Sequence, residues 1–488
     1  MILHADETRT KIVCTIGPSS RDIEMLRRLI RQGMDVARVN CSHGTPDEHR
    51  ETIARIREAA TAEHATVAIL ADLQGPKLRI GRLATPIDLR TGDRVTLLSG
   101  DAVGTNDVIP LPHPALIAAA HVGGRLLFDD GEVEATVVAV ASDRLILEIV
   151  VGGRLDSHKG IAAPGGTIGV PALTDKDRSD AELAVDCGVE FVALSFVRSA
   201  SDIQSLRRLL AASPAGERIG VMAKIEKPEA IEHLDEILDV SDAVMVARGD
   251  LGVEMSPQEV PLHQKEIIRR CNRRGIPVVT ATQMLQSMIA HPRPTRAEAS
   301  DVANAILDGT DALMLSGETA VGDYPEQAVA MMREISEIAE RQMPCRIGDD
   351  RDDFAHRAHP ITDSISEATV RIADELEARL IATSTSSGYT ARQIARERPR
   401  RPIVALTPDE VVARQLALVW GVVPVVVPVY ETTDEMLAIV SRTVIEAGYG
   451  RPGDLIVVSA GLPSGTAGKT NFVKVHRLGE GADESAEL

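Results

Sequence analysis

The chain has 488 residues, a formal charge of −19 and an apolar content of 44%, with a single Trp. So long a chain exceeds one hydrophobic core and predicts two to four domains, whose cores must be built from Val, Ile, Leu, Ala and Met. The acidic balance excludes non-specific binding to nucleic acid or to an anionic membrane, which needs a basic surface, but not a local basic pocket for a small anion.

The cysteines (Cys14, Cys41, Cys187, Cys271 and Cys345) are odd in number and scattered, with no CxxC pair. They indicate neither a disulfide framework nor a zinc site. Met1 to Lys11 is polar, without an apolar core of signal-peptide length, and no apolar run reaches the ~18 residues of a membrane span. A cytoplasmic location is the expectation.

In chain order, Thr10 to Gly17 predicts a first strand, Ser20 caps the amphipathic helix after it and Gly33 ends that helix. Met34 to Asn40 is a second strand, Pro46 to Ala62 a helix and Thr66 to Asp72 a third strand. From Leu78 the rhythm changes to short alternating runs broken by Gly-Asp, Asp-Gly and Gly-Gly pairs, the pattern of a small β-barrel or sandwich. It interrupts a strand and helix alternation that resumes with a helix at Asp175 to Cys187 and five strands: VEFVALS, IGVMAKIE, DAVMVA, PVVTAT and DALMLS. A helix from Pro325 to Gln342 follows the last. Eight strands in strict alternation predict a (β/α)8 TIM barrel with an inserted β lid domain. After an acidic link, Pro344 to Pro360, a third unit alternates again and predicts a three-layer α/β domain, with an acidic disordered end. The expected domains are 1–77 and 172–345 for the barrel, 78–171 for the lid and 346–488 for the C-terminal unit.

A barrel enzyme carries its chemistry at the C-terminal ends of its strands. Those ends are polar in seven of eight cases here: Arg38 to His43, Asp72 to Gln74, Ser195 to Arg198, Lys224 to Glu226, Arg248 to Asp250, Thr282-Gln283 and Ser316 to Glu318. Side chains alternate along a strand, so Lys224 and Glu226 share one wall. Glu226 with Asp250 offers two hard oxygen ligands suited to Mg2+, with Lys224 facing a phosphate. The plain alternatives are a Lys-Glu pair that only balances itself and, for Arg38, a surface arginine.

Eight motifs, taken together, resemble the pyruvate kinase family over nearly the whole chain. They are RVNCSHG from Arg38, HKGIAAPG from His158, LTDKD from Leu173, MAKIEKPEA from Met222, VARGDLGVE from Val246, TATQMLQSM from Thr280, SGETA from Ser316, and TNFVKVH near the end. The resemblance implies phosphoryl transfer from phosphoenolpyruvate to ADP, giving pyruvate and ATP, by a homotetramer with a C-terminal regulatory domain. It implies Mg2+, or Mn2+ in its place, on Glu226 and Asp250, and Lys224 as the charge on the moving phosphoryl. Arg38, Ser195, Gly249, Asp250 and Thr282 would hold the substrate, and Asn40, Arg79 and Lys159 the nucleotide. A relay through Thr282, Ser316 and water would protonate the enolate.

One departure stands out. Relatives read DTKGPEIR after the third strand, and this chain has Lys77 in place of the family's Glu. Asn40, Ser42, Asp72 and Leu73 match the family's K+ ligands, but an ammonium can take the place of a monovalent cation, so activity without K+ is expected. In the C-terminal unit, Thr385, Ser386, Ser387, Gly388 and Thr390 match the place where the family binds sugar phosphates or nucleotides such as AMP. An ordinary helix start is the plain reading.

Two short motifs are set aside. Pro463 to Thr470 lacks the first glycine of a phosphate loop and precedes a strand. The Arg248-Gly249-Asp250 tripeptide sits at a strand end, not on an adhesive loop. Two rival functions stay open: a Mg2+-dependent aldolase or lyase of pyruvate enolate, and a non-catalytic metabolite sensor.

Overall fold

The computed structural model describes residues 8–164, 169, 171–343, 359–462 and 469–479. The acidic link, the glycine-containing loop from Pro463 and the acidic end lie wholly or largely outside the described residues. Eight parallel strands close a barrel in sequential order: β1 (Lys11–Ile16), β2 (Val36–Asn40), β3 (Ala68–Asp72), β4 (Phe191–Leu194), β5 (Gly220–Ile225), β6 (Ala243–Ala247), β7 (Val278–Ala281) and β8 (Ala312–Leu315), with β8 pairing back onto β1. Ser20 does not cap the first helix. Its hydroxyl accepts the Gly17 N–H, and Asp22, extended just before Ile23–Gln32, accepts from Glu24 N instead. A serine two residues too early closes a turn, whereas a cap must abut the first helical residue.

Strand periodicity explains how the barrel makes a site. Val36, Leu70, Ala193, Met222 and Met314 belong to the apolar cluster that fills the barrel interior. Two residues further along each strand, in the same inward register, stand Arg38, Asp72, Ser195, Lys224 and Ser316. The interior is therefore apolar in its lower layers and polar in its uppermost one.

The inserted unit leaves after β3 and returns before the helix Asp175–Asp186. A six-stranded sheet and the two-stranded ribbon of Ile87–Leu89 with Gly153–Leu155 surround one core containing Leu97, Ile109, Phe128 and Leu147. The C-terminal unit is a five-stranded sheet with apolar clusters on both faces. Thr433–Glu446 covers one face; Pro360–Glu375, Tyr389–Ala395 and Glu410–Leu416 cover the other.

This unit also seals the barrel. Ala417 and Leu418 join the interior cluster beside Val13, Met222 and Met245. Around that plug, Arg414 Nε donates to Glu190 Oε1 at 2.6 Å, and Arg398 Nη1 donates to Asp311 Oδ1 at 3.0 Å while stacking 4.8 Å from the Trp420 ring centre. Glu190 and Asp311 are buried acids at the lower rim, so each requires its arginine. Leu418→Ala should cost about 2–5 kcal/mol, the usual range for a buried leucine. It should lower the urea midpoint, with emission of the single Trp420 and far-UV circular dichroism falling together.

Candidate active site

The polar layer at the top of the barrel is organised by one ammonium group. Lys224 Nζ lies 2.9 Å from Glu226 Oε1 and 3.2 Å from Asp72 Oδ1, and donates to Ser195 Oγ at 2.7 Å. Ser195 in turn donates to the Leu73 carbonyl at 2.7 Å. Asp72 also accepts from Arg38 Nε at 2.7 Å, and Arg38 Nη1 donates to Thr15 Oγ1 at 2.9 Å. Both acids are 1% exposed, so the charges hold one another out of water.

Burial works against the charge on Lys224, but Asp72 and Glu226 outweigh it and its pKa is raised. The two acids thus favour the charged ammonium. Burial likewise opposes ionisation of Asp72, yet Lys224 and Arg38 pull its carboxyl below the ordinary range. Glu226 moves the other way. Burial, reinforced by the negative charge of Asp250, pushes it up despite Lys224 and the Phe196 N–H. A buried carboxylate facing a second negative charge marks a site that a divalent cation would relieve. The described residues contain no cluster of three or more acid, His or Cys groups with metal-binding geometry. Two carboxylates are what Mg2+ takes when phosphate and water complete its shell, so the donor set fits that ion.

The other expected residues divide into those the fold brings together and those it engages elsewhere. Thr282 Oγ1 accepts the Gly249 N–H at 2.7 Å and donates to the Ala281 carbonyl at 2.6 Å. Asp250 does not cap a helix: Arg248–Glu254 has Ala247 at that position, which puts Asp250 in the first turn. Ser316 directly follows β8, its N–H bonded to Glu318 Oε2 at 2.7 Å. Arg79 and Lys159 sit side by side on the stem of the lid, where Arg79 bridges Gly160. There Arg79 donates to the His158 carbonyl at 2.9 Å, and Lys159 pairs with Asp129 at 2.8 Å. Asn40 lies opposite Asp72 in the β2–β3 ladder and accepts the Ser42 N–H at 3.1 Å. Lys77 lines the cleft between lid stem and barrel, with Arg198, Lys227 and Asp250.

In the C-terminal unit Thr385 and Thr390 are buried, and Thr390 Oγ1 accepts from Thr470 Oγ1 at 3.0 Å. Gly388, with φ of 75°, precedes the short helix Tyr389–Ala395. Ser386 is exposed and Ser387 half-buried.

The family model for the pyruvate kinase barrel domain matches residues 7–329, and that for its alpha/beta domain matches residues 363–476. The chain belongs to the pyruvate kinase family. It is 45% identical to the pyruvate kinase of Geobacillus stearothermophilus over 97% of this chain and 81% of that protein. It is 44% identical to those of Mycobacterium intracellulare and Mycobacterium tuberculosis, over 97% of this chain and 99% of each. Pyruvate kinases are phosphotransferases, and this chain is an enzyme of that class.

Sequence reasoning undervalued Asp72, which it took only as a cation ligand; its inward register with Leu70 was the available signal. It also missed Arg248, whose guanidinium holds the Thr282 loop by donating to the Thr282 carbonyl at 2.8 Å and to Asp301 at 2.8 Å. Asp72→Asn should destabilise the protein by about 3–5 kcal/mol at neutral pH, because it leaves Arg38 and Lys224 without their shared anion. The folded pKa of Asp72 is depressed, so its stabilisation is full above the ordinary carboxylate range and is lost as pH falls through the folded value. Urea midpoints of wild type and variant should therefore converge in acid.

Proposed function

We propose that this chain transfers the phosphoryl group of phosphoenolpyruvate to ADP, giving pyruvate and ATP, with Mg2+ held by Glu226 and Asp250. The observation that carries this reading is the buried Lys224 ammonium, 2.9 Å from one of those carboxylates and set in the same polar layer as Arg38. In phosphoryl transfer the protein mostly positions groups and neutralises charge, and this layer suits that task. Mg2+, or Mn2+ in its place, would supply charge to the phosphoryl and enolate oxygens.

Lys224 meets the transferring phosphoryl as a point charge, and Arg38 grips it with the planar geometry that suits phosphate. A substrate carboxylate entering beside Gly249 competes with Ala281 O for the Thr282 proton and with Thr282 Oγ1 for the Gly249 N–H. Asn40, Arg79 and Lys159 meet the nucleotide phosphates after the lid closes, when Lys159 exchanges Asp129 for them. The enolate takes its proton through Thr282, Ser316 and water, since neither hydroxyl is an acid by itself.

Lys77 supplies the charge that K+ would bring, and the enzyme works without that ion. We assign it to the cytoplasm as a homotetramer. No helix among the described residues is long and apolar enough to cross a membrane, in keeping with that assignment.

An assay that couples pyruvate formation to lactate dehydrogenase tests the reaction. Wild type should turn over in buffer containing only tetramethylammonium, and Lys77→Glu should become dependent on added K+. Lys224→Met should lose about a thousandfold or more in kcat with its near-UV circular dichroism retained. No pyruvate from wild type removes the reading; strong dependence of wild type on K+ removes the role of Lys77.

The loop from Thr385 to Thr390 is proposed to bind a phosphorylated effector through Ser386, Ser387 and nearby backbone amides, Thr390 being engaged with Thr470. Calorimetric titration with fructose 1,6-bisphosphate, glucose 6-phosphate and AMP should give heat for at least one of them; none for all three counts against the site.

A further inference from the structure

Lys227 and Glu254 form an ion pair in the cleft beside the two acids assigned to the divalent cation, and neither has a part in the reaction described above. Lys227 directly follows Glu226 in sequence. Glu254 follows Asp250 by four residues, one turn along the helix Arg248–Glu254. The pair therefore ties together the two chain segments that carry the metal-binding carboxylates. Its side chains are 18% and 7% exposed, so it is shielded from the screening that makes surface pairs weak.

The same ammonium has a second contact. Lys227 Nζ lies 5.8 Å from the ring centre of Phe196, within the range of a cation–π attraction. Phe196 has a φ of 55°, a conformation unfavourable for an aromatic residue, and its N–H donates to Glu226 Oε2 at 2.7 Å. Gly75 packs closely against this turn. A Cβ at Gly75 would stand 2.9 Å from both the Phe196 ring and Ser195 Cβ. Lys227 thus reaches Glu226 by two routes, through the adjoining backbone and through the ring whose amide orients the carboxylate.

We infer that Lys227 and Glu254 are positioning residues that set the separation and orientation of the Glu226 and Asp250 carboxylates for the divalent cation. The inference rests on the metal assignment above. As a charge alone, Lys227 repels a cation, so its removal would tighten binding. As a brace it preorganises the ligands, so its removal weakens binding. Losing a group that orients a metal ligand typically costs about 10–100-fold in affinity.

The test is Mn2+ binding to the full-length protein without substrates, read from the electron paramagnetic resonance signal of free Mn2+. Lys227→Met should weaken binding by about tenfold or more, Lys227→Arg should retain most of it, and Glu254→Gln should weaken it too. Lys227→Gln, which removes the charge but keeps a polar end, replaces the Met variant if that one does not fold. Unchanged or tighter Mn2+ binding in folded Lys227→Met or Lys227→Gln overturns the inference and leaves the metal assignment standing. Failure of wild type to bind Mn2+, or an undiminished affinity in Glu226→Gln, overturns both.

Discussion

The placement of one ammonium group between two buried carboxylates constrains everything at the top of this barrel. Lys224 is unaffordable there alone, because an unpaired buried charge costs several kcal/mol. With Asp72 at 3.2 Å and Glu226 at 2.9 Å it becomes a fixed positive centre. The same arrangement forces Asp72 to serve Arg38 as well, so the two cations suited to phosphate are locked in register with each other. Glu226 is left only partly compensated: burial and the negative charge of Asp250 push its carboxyl up despite Lys224.

The two ends of the barrel solve opposite problems. At the lower rim Glu190 and Asp311 are matched by Arg414 and Arg398 of the C-terminal unit, and Leu418 completes the apolar filling. At the upper end backbone strain is tolerated: Phe196, Thr282 and Gln283 all have positive φ immediately after their strands. Each of those turns aims an amide or hydroxyl at the site. Stability concentrated below is what lets the upper layer keep charges and conformations that would be unfavourable on their own.

Much of this was legible in the linear pattern. Eight buried runs ending in polar residues marked both the barrel and its working face, and period-two alternation put Lys224 and Glu226 on one wall. The insert announced itself by a change from helical spacing to short alternating strands. What stayed hidden depended on which groups face each other across strands. Asp72 was visible as a strand-end acid, but its simultaneous hold on Arg38 and Lys224 joins three strands far apart in sequence. The brace of Lys227 with Glu254 was hidden for the same reason, and Ser20 was mistaken for a cap because a local preference does not say where a turn closes.

The sequence by itself determined the element order, the inserted unit and the residue types at each strand end, since these follow from hydrophobic periodicity and local propensity. Only the tertiary structure decided which charges share protons and counter-ions, that Thr282 meets Gly249, and that a leucine of the C-terminal unit closes the barrel floor. Those outcomes depend on distances of about 3 Å between segments tens to hundreds of residues apart, and burial makes such distances decisive by removing the water that would otherwise screen them.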